Sequence, residues 1–275
     1  MARVRPPAVA GAFYDADPNA LRRSVDSLLT KAKALAVRGT VRGLVSPHAG
    51  YVYSGGTAAV GYKLLKGRSY DAVILIGPSH REFFNGASIY SGESYRTPLG
   101  DIPIHKEIRE KLVRESPVLT LSDAGHRAEH CLEVQLPFLQ RVLGEFSFVP
   151  IIIGNQLRET CAAVGDALAK AMAGRSILLV ASSDLSHYHP YDVAVDLDRR
   201  VISHVEAFDD DGLMRELETE HVEACGGGPV VAVMRAAKAA GANHGQALFY
   251  CNSGDVTGDK GAVVGYLSAA FLQVD

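Results

Sequence analysis

Two spacings of apolar residues run through this chain. From Asp17 onward, Leu21, Val25, Leu28, Leu29 and Ala32 recur every three or four positions, the period of a helix with one buried face. Asp17 supplies a cap for it and Pro18 suits its first turn. Elsewhere the apolar residues are continuous, as in "AVILIG" and "ILLVAS", which suits central strands covered on both faces. Strands are predicted at about 41–46, 72–77, 147–153 and 176–182, with a short one in "GASIYSG" and two closing strands near 247–252 and 261–271. Between them the pattern predicts helices at 56–66, 103–115, 130–143, 156–173, 191–206 and 210–218, and one fed by "CGGGP". Ile104, Ile108 and Leu112 share a face of the 103–115 helix, and Pro137 predicts a kink inside 130–143. Alternating strands and helices imply an α/β sandwich built on one sheet. With no internal repeat, low-complexity tract or linker, residues 1–275 read as a single domain.

Composition narrows the classes. The chain is 47% hydrophobic and 21% charged, an ordinary globular balance. A net charge of −3 with ten histidines neutral gives no strong basic field, so nucleic acid is not an expected partner. No apolar run is long enough to span a bilayer. The N-terminal "MARVRPPAVAGAFY" has basic residues but no sustained apolar stretch, so no signal peptide is expected. Cys131, Cys161, Cys225 and Cys251 show no CxxC spacing, which points to reduced thiols and a cytoplasmic location.

The chemistry gathers where apolar strands end. "GLVSPHAGYVYSGG", "AVILIGPSHREF" and "SILLVASSDLSHYHP" each pass from an apolar run into a histidine. In open α/β sheets ligands bind beyond the carboxyl ends of strands, and His48, His80, Asp184 and His187 all lie there. The prolines beside His48 and His80 restrict the backbone and hold each imidazole at a fixed angle, as a metal ligand or catalytic base requires. Asp184, three residues before His187, either orients that imidazole and favours its charged form or, with Ser183, caps a short helix. Glu129 and His130 form a pair at a helix start that either lines a substrate cleft or is a solvated helix end. His105, His204, His221 and His244 read as surface residues.

Cys225 precedes three glycines and Pro229. A thiol near a helix N-terminus is expected to have a lowered pKa, giving a nucleophilic or metal-binding thiolate, and glycines let backbone approach a ligand. A small buried residue beside a Gly-rich turn is the other reading. "CGGGPV" lacks the Walker lysine and does not match GxGxxG, so nucleotide binding is discounted. Cys131, Cys161 and Cys251 read as core residues.

Six motifs in order, "PPAVAGAFYDAD", "SPHAGYVYSG", "GPSH", "EHCLEVQLPFL", "SSDLSHYHPY" and "CGGGPV", resemble the Memo family over about residues 4–272. That family is similar in fold to class III, non-haem-iron extradiol dioxygenases, which implies a central mixed sheet flanked by helices with a cleft at one end. The resemblance implies a metal triad of His48, His80 and Cys225, an acid–base residue in His187 with Asp184 beside it, and His130 as a further cleft residue. Ring-cleaving dioxygenases hold Fe(II) on two histidines and a carboxylate; a cysteine in the third position makes copper, iron or zinc plausible and leaves catechol chemistry unimplied. Glycines after the cysteine also depart from members with bulkier residues there. Relatives are linked by gene context to radical-SAM and AMMECR-domain proteins, which implies a shared pathway.

Three functions compete. The first is a mononuclear iron or copper redox protein with a dioxygenase-like cleft. The second is a metal-free hydrolase or transferase in which Cys225 attacks and His187 or His48 activates it. The third is a non-catalytic module that docks a peptide or phosphopeptide among Tyr51, Tyr53, His130 and His187; Tyr51, Tyr53 and Glu129 are the expected substrate-binding residues of the cleft. The substrate is a small molecule or peptide.

Overall fold

The computed structural model describes residues 3–275. The chain runs through β1 (Val4–Arg5), α1 (Pro18–Lys31), β2 (Thr40–Ser46), α2 (Tyr51–Lys63), β3 (Ala72–Pro78), β4 (Ala87–Tyr90), β5 (Ser94–Thr97), β6 (Gly100–Pro103), α3 (Lys106–Glu115) and β7 (Leu119–Ser122). It continues with α4 (Leu136–Leu143), β8 (Phe148–Ile153), α5 (Arg158–Met172), β9 (Ile177–Ser182), β10 (His187–His189), α6 (Tyr191–Ala207), α7 (Asp210–Glu218), α8 (Gly227–Ala239), β11 (His244–Asn252), α9 (Ser253–Thr257) and β12 (Val263–Gln273).

The main sheet is mixed, in the order β10-β12-β2-β9-β3-β8-β4-β7, with β11 also paired to β12. Its centre, β2-β9-β3-β8, is parallel; β12 and β4 run antiparallel to it on either side. Every residue of β3, β8 and β9 is buried, as their unbroken apolar runs require. Alternate side chains feed two separate cores. Ile74, Ile76 and Leu179 pack with Leu168 of α5 and Val233 of α8, whereas Val73, Leu75 and Val180 pack with Leu21 of α1, Ala59 of α2 and Phe138 of α4. The result is a central mixed sheet with helices on both faces.

The structure departs from the sequence expectations at several points. Helix α2 starts at Tyr51 rather than 56, so Tyr51 and Tyr53 are helical. Gly55 interrupts the apolar pattern because α1 packs close: a Cβ there would stand 2.9 Å from Leu28 Cδ1. The 130–143 segment is not one kinked helix. A 3-10 turn spans Glu133–Gln135 and α4 begins at Leu136, placing Pro137 in the first turn, where its missing N–H breaks no helical bond. His187 opens a short strand paired to β12, so Asp184 and His187 do not share a helical turn. A small sheet, β1-β5-β6, and strand β7 have segments of two to four residues, too short to leave a period. Among the described residues no helix is long and apolar enough to cross a membrane.

Candidate metal centre

Because β2, β9, β3 and β8 are parallel, their carboxyl ends share one edge. The chain leaves β2 into α2, on the face of Leu75 and Val180, and leaves β9 toward α6, whose Val201 and Val205 join the opposite core. A crevice opens where such connections diverge. His48 follows β2 and His80 follows β3, so the two flank β9, which lies between them.

Cys225 arrives from elsewhere in the chain, on the turn before α8. Its N–H donates to Asp184 O (3.2 Å), and the Gly226 N–H donates to Ser183 Oγ (3.0 Å). A Cβ on Gly226 would lie 2.3 Å from Ser182 O, so only glycine lets this turn seat on the end of β9. Gln156 clamps the turn from the side: its Nε2 donates to Cys225 O (2.7 Å) and its Oε1 accepts from Gly228 N–H (2.7 Å). The glycines were expected to admit a ligand; they instead admit the protein's own backbone and side chains.

Donor atoms of His48, His80 and Cys225 all lie within 4.8 Å of one another, and His48 Nε2 stands 3.1 Å from Cys225 Sγ. His48 is buried, Cys225 half-buried and His80 exposed, so one ligand position faces solvent. Glu129 fixes His80. Its Oε2 accepts from His80 N–H (2.7 Å), and its Oε1 lies 2.9 Å from His80 Nδ1 and accepts from the backbone N–H of His130 (2.8 Å) and Cys131 (3.0 Å). Burial opposes ionisation of this carboxyl, but His130 and His80 outweigh it and hold Glu129 well below the usual carboxylate range. An ionised carboxylate only accepts, so Nδ1 carries a proton, and in the neutral ring the lone pair is on Nε2. A second grouping, His80, Glu129 and Cys131, also has ligand spacing. There Glu129 is occupied by four donors and Cys131, fully buried, turns its thiol to Pro78 O (3.3 Å), so the Cys225 grouping is the better site.

Electrostatics reverse one expectation. The Cys225 thiol is pushed up, not down, first by burial and then by the neighbouring Asp184. The Asp184 N–H directed at Sγ (3.3 Å) favours a thiolate but does not offset burial. His48 is driven well below its usual value by burial and by the neighbouring His80 and His130. Without a metal the proton therefore stays on sulfur, and both members of the pair are neutral.

Asp184 is buried, which pushes its carboxyl up to about 6. Its Oδ1 accepts from His48 N–H (2.7 Å), so it anchors the His48 loop; no hydrogen bond joins it to the His187 ring. His187 stands half-buried on β10, its N–H reaching Glu223 Oε2 at 3.4 Å. His130 packs within 4.8 Å of His80 and 5.4 Å of His48 between ring centroids, with Phe13 on it at 4.9 Å. Its buried Nδ1 lies 3.2 Å from Glu129 Oε1, too poorly aligned for a hydrogen bond. Tyr51 donates its hydroxyl to Val134 O (2.7 Å) and packs on Phe138, whereas Tyr53 is 43% exposed. Of the histidines read as surface residues, His105 caps α3 and His204 lies between Asp209 and Glu216.

Several supporting residues escaped the sequence reading. Arg5 and Glu133 form a buried ion pair; Arg5 also donates to the carbonyls of His126 (2.7 Å) and Glu129. Glu133 accepts from Ala8 N–H (2.7 Å), Val9 N–H (3.0 Å) and the Tyr14 hydroxyl (2.6 Å), which straps the N-terminal segment beneath the Glu129 loop. Ser182, Gln135 and Gln156 have no charge or period to distinguish them in sequence.

The sequence profile of a family described as Memo-like protein matches residues 5–270. The chain belongs to the Memo family. A MEMO1 family protein of Methanothermobacter thermautotrophicus is 39% identical over 272 residues, covering 96% of this chain and 98% of the relative. A MEMO1 family protein of Methanopyrus kandleri is 38% identical, covering 97% of this chain and 98% of its own length. Among solved structures, an uncharacterized protein of Escherichia coli K12 superposes with a TM-score of 0.58 at 17% identity, covering 84% of this chain and all of that one; at that identity the likeness speaks to fold.

Proposed function

We propose that this Memo-family protein is a mononuclear metal protein in which His48, His80 and Cys225 hold iron or copper. The single observation that carries this reading is the meeting of two imidazoles and one thiol within 4.8 Å at the carboxyl edge of a parallel sheet. The residues fit such an ion. His80 presents a free Nε2, the set combines borderline imidazoles with a soft thiolate, and the Glu129–His80 contact is the carboxylate support that metal-bound histidines use. Zinc fits the same donors. Bound there, iron or copper supplies redox chemistry, including reaction with oxygen.

The remaining residues divide the other tasks. In this reading His187 serves as proton donor or acceptor, and Asp184 holds the His48 loop in register. His130 closes the wall beside both ligand imidazoles. Val52, Tyr53, Phe83 and Tyr188, all exposed, follow His48, His80 and His187 in the chain and offer apolar contacts for a small molecule or peptide. Against a metal-free Cys–His nucleophile with His48 as base stands the weak basicity of that buried imidazole, which opposes its taking the proton of a raised thiol.

Cobalt(II) tests the ligand set. Full-chain protein loaded with cobalt should show a thiolate-to-cobalt charge-transfer band that disappears in Cys225→Ala. A band that survives the substitution, or its absence in the wild-type protein at saturating cobalt, would refute the triad.

A further inference from the structure

Behind His48 lies a chain of buried polar groups whose hydrogens have only one consistent arrangement. Tyr62, Gln135 and Ser182 are fully buried and His48 is 2% exposed, so water does not complete their bonding. The Tyr62 hydroxyl is 2.7 Å from Gln135 Oε1. The other end of the Gln135 amide is 3.0 Å from Pro47 O and 2.9 Å from Ser182 Oγ. A carbonyl cannot donate, so the amide nitrogen must face Pro47, and its two N–H groups go to Pro47 O and Ser182 Oγ. Ser182 has one proton, and Cys131 O, 2.7 Å away, can only accept it. Ser182 Oγ has therefore no proton left for His48 Nδ1 at 2.9 Å and must accept there.

We infer that Gln135 and Ser182 are positioning residues that set the His48 tautomer, with the proton on Nδ1 and the lone pair on Nε2 facing Cys225. The two fixed carbonyls, Pro47 O and Cys131 O, give the relay its direction, and Tyr62 satisfies the remaining amide oxygen. The arrangement uses both N–H groups of Gln135, the single proton of Ser182 and both of its lone pairs, with none left over. Glu129 imposes the same tautomer on His80 by charge; at His48 a neutral relay does so, with a hydroxyl and not a carboxylate bonded to the ring. The inference rests on the reading of His48 as a ligand only for its purpose, not for its chemistry.

Nitrogen-15 spectroscopy of the His48 ring in full-chain protein, stripped of metal by chelation and held at one pH, reads the tautomer directly. The wild-type ring should show a protonated Nδ1 and an unprotonated Nε2. In Ser182→Ala, Nδ1 loses its acceptor and the proton should move toward Nε2, where sulfur accepts it. Cobalt affinity should then fall about 10- to 100-fold, the range for loss of an outer support. Ser182→Thr, which keeps the hydroxyl, should restore the tautomer. Gln135→Met frees Ser182 to donate to His48 and should yield a mixture, which keeps the test open if Ser182→Ala does not fold. A wild-type ring protonated on Nε2, or a tautomer unchanged in Ser182→Ala or Gln135→Met, would overturn the relay. If the tautomers respond as expected while the wild-type protein binds no cobalt, the relay stands and the metal reading fails.

Discussion

Glu129→Gln is the perturbation that isolates the support of His80. The side chain is almost fully buried and meets four donors: the His80 N–H, the His80 ring, and the N–H groups of His130 and Cys131. A glutamine oxygen at the Oε1 position can keep three of these, as neutral rather than charge-assisted bonds. Its NH2 group then faces the His80 N–H, 2.7 Å from that position, as donor against donor. One unsatisfied buried donor costs about 1–3 kcal/mol, and weakening of the three charged bonds adds about 1 kcal/mol, so a total loss of about 2–4 kcal/mol is expected. The assay is urea unfolding of metal-free wild type and variant at pH 7, paired with cobalt competition. The bond that supports the His80 ring also becomes a neutral one, so cobalt affinity should fall about 10-fold, the lower end of the range for loss of an outer support. The pH dependence has a defined sign. Because the folded Glu129 pKa is depressed, its stabilisation is fully present above the unfolded carboxyl value of about 4.3 and is lost as pH falls toward the folded pKa. The gap between the two proteins should therefore narrow below about pH 4.3. A variant within about 0.5 kcal/mol of wild type at pH 7, with unchanged cobalt affinity, would refute the account of Glu129.

Three further outcomes are expected. Gly226→Ala places a methyl 2.3 Å from Ser182 O and 2.8 Å from Ser183 Cβ, so the turn must move off β9; a loss of about 1–3 kcal/mol and weakened cobalt binding should appear, and an unchanged unfolding midpoint would contradict the packing argument. Because the Cys225 thiol is raised and must lose its proton to bind metal, apparent cobalt affinity should rise with pH and keep rising past pH 9, where an ordinary thiol of pKa about 8.5 would already have levelled off; a plateau by pH 9 would contradict it. Arg5→Met leaves Glu133 as an uncompensated buried charge and should cost about 3–5 kcal/mol in thermal or urea unfolding, whereas a neutral effect would show that the N-terminal strap carries no weight.

The central strands were legible because burial on both faces leaves continuous apolar runs, and the placement of His48 and His80 at their ends followed from the topology of parallel sheets. What periodicity cannot register is close packing. Gly226 read as part of a ligand-approach turn, yet it is small because the end of β9 presses on it. Pro137 read as a kink because the start of α4 was set too early, and the 3-10 turn before it has no period of its own. The lowered thiol expected at Cys225 weighed the helix terminus and omitted burial, which is a property of the folded chain. Asp184 was paired with His187 by spacing along the chain, while its real partner is the His48 N–H, 136 residues away in sequence. Gln135 and Ser182 are the hardest case: uncharged residues on different elements, whose role exists only once β9 and the 3-10 turn meet.

Elemental analysis of protein purified anaerobically without added metal, beside the Cys225→Ala variant, tests the central claim most directly. Close to one iron or copper per chain in the wild type, and loss of that metal in the variant, is the predicted result. Full metal retention in Cys225→Ala, or no bound metal in either protein even after reconstitution, would contradict the assignment of His48, His80 and Cys225 as the metal-binding set.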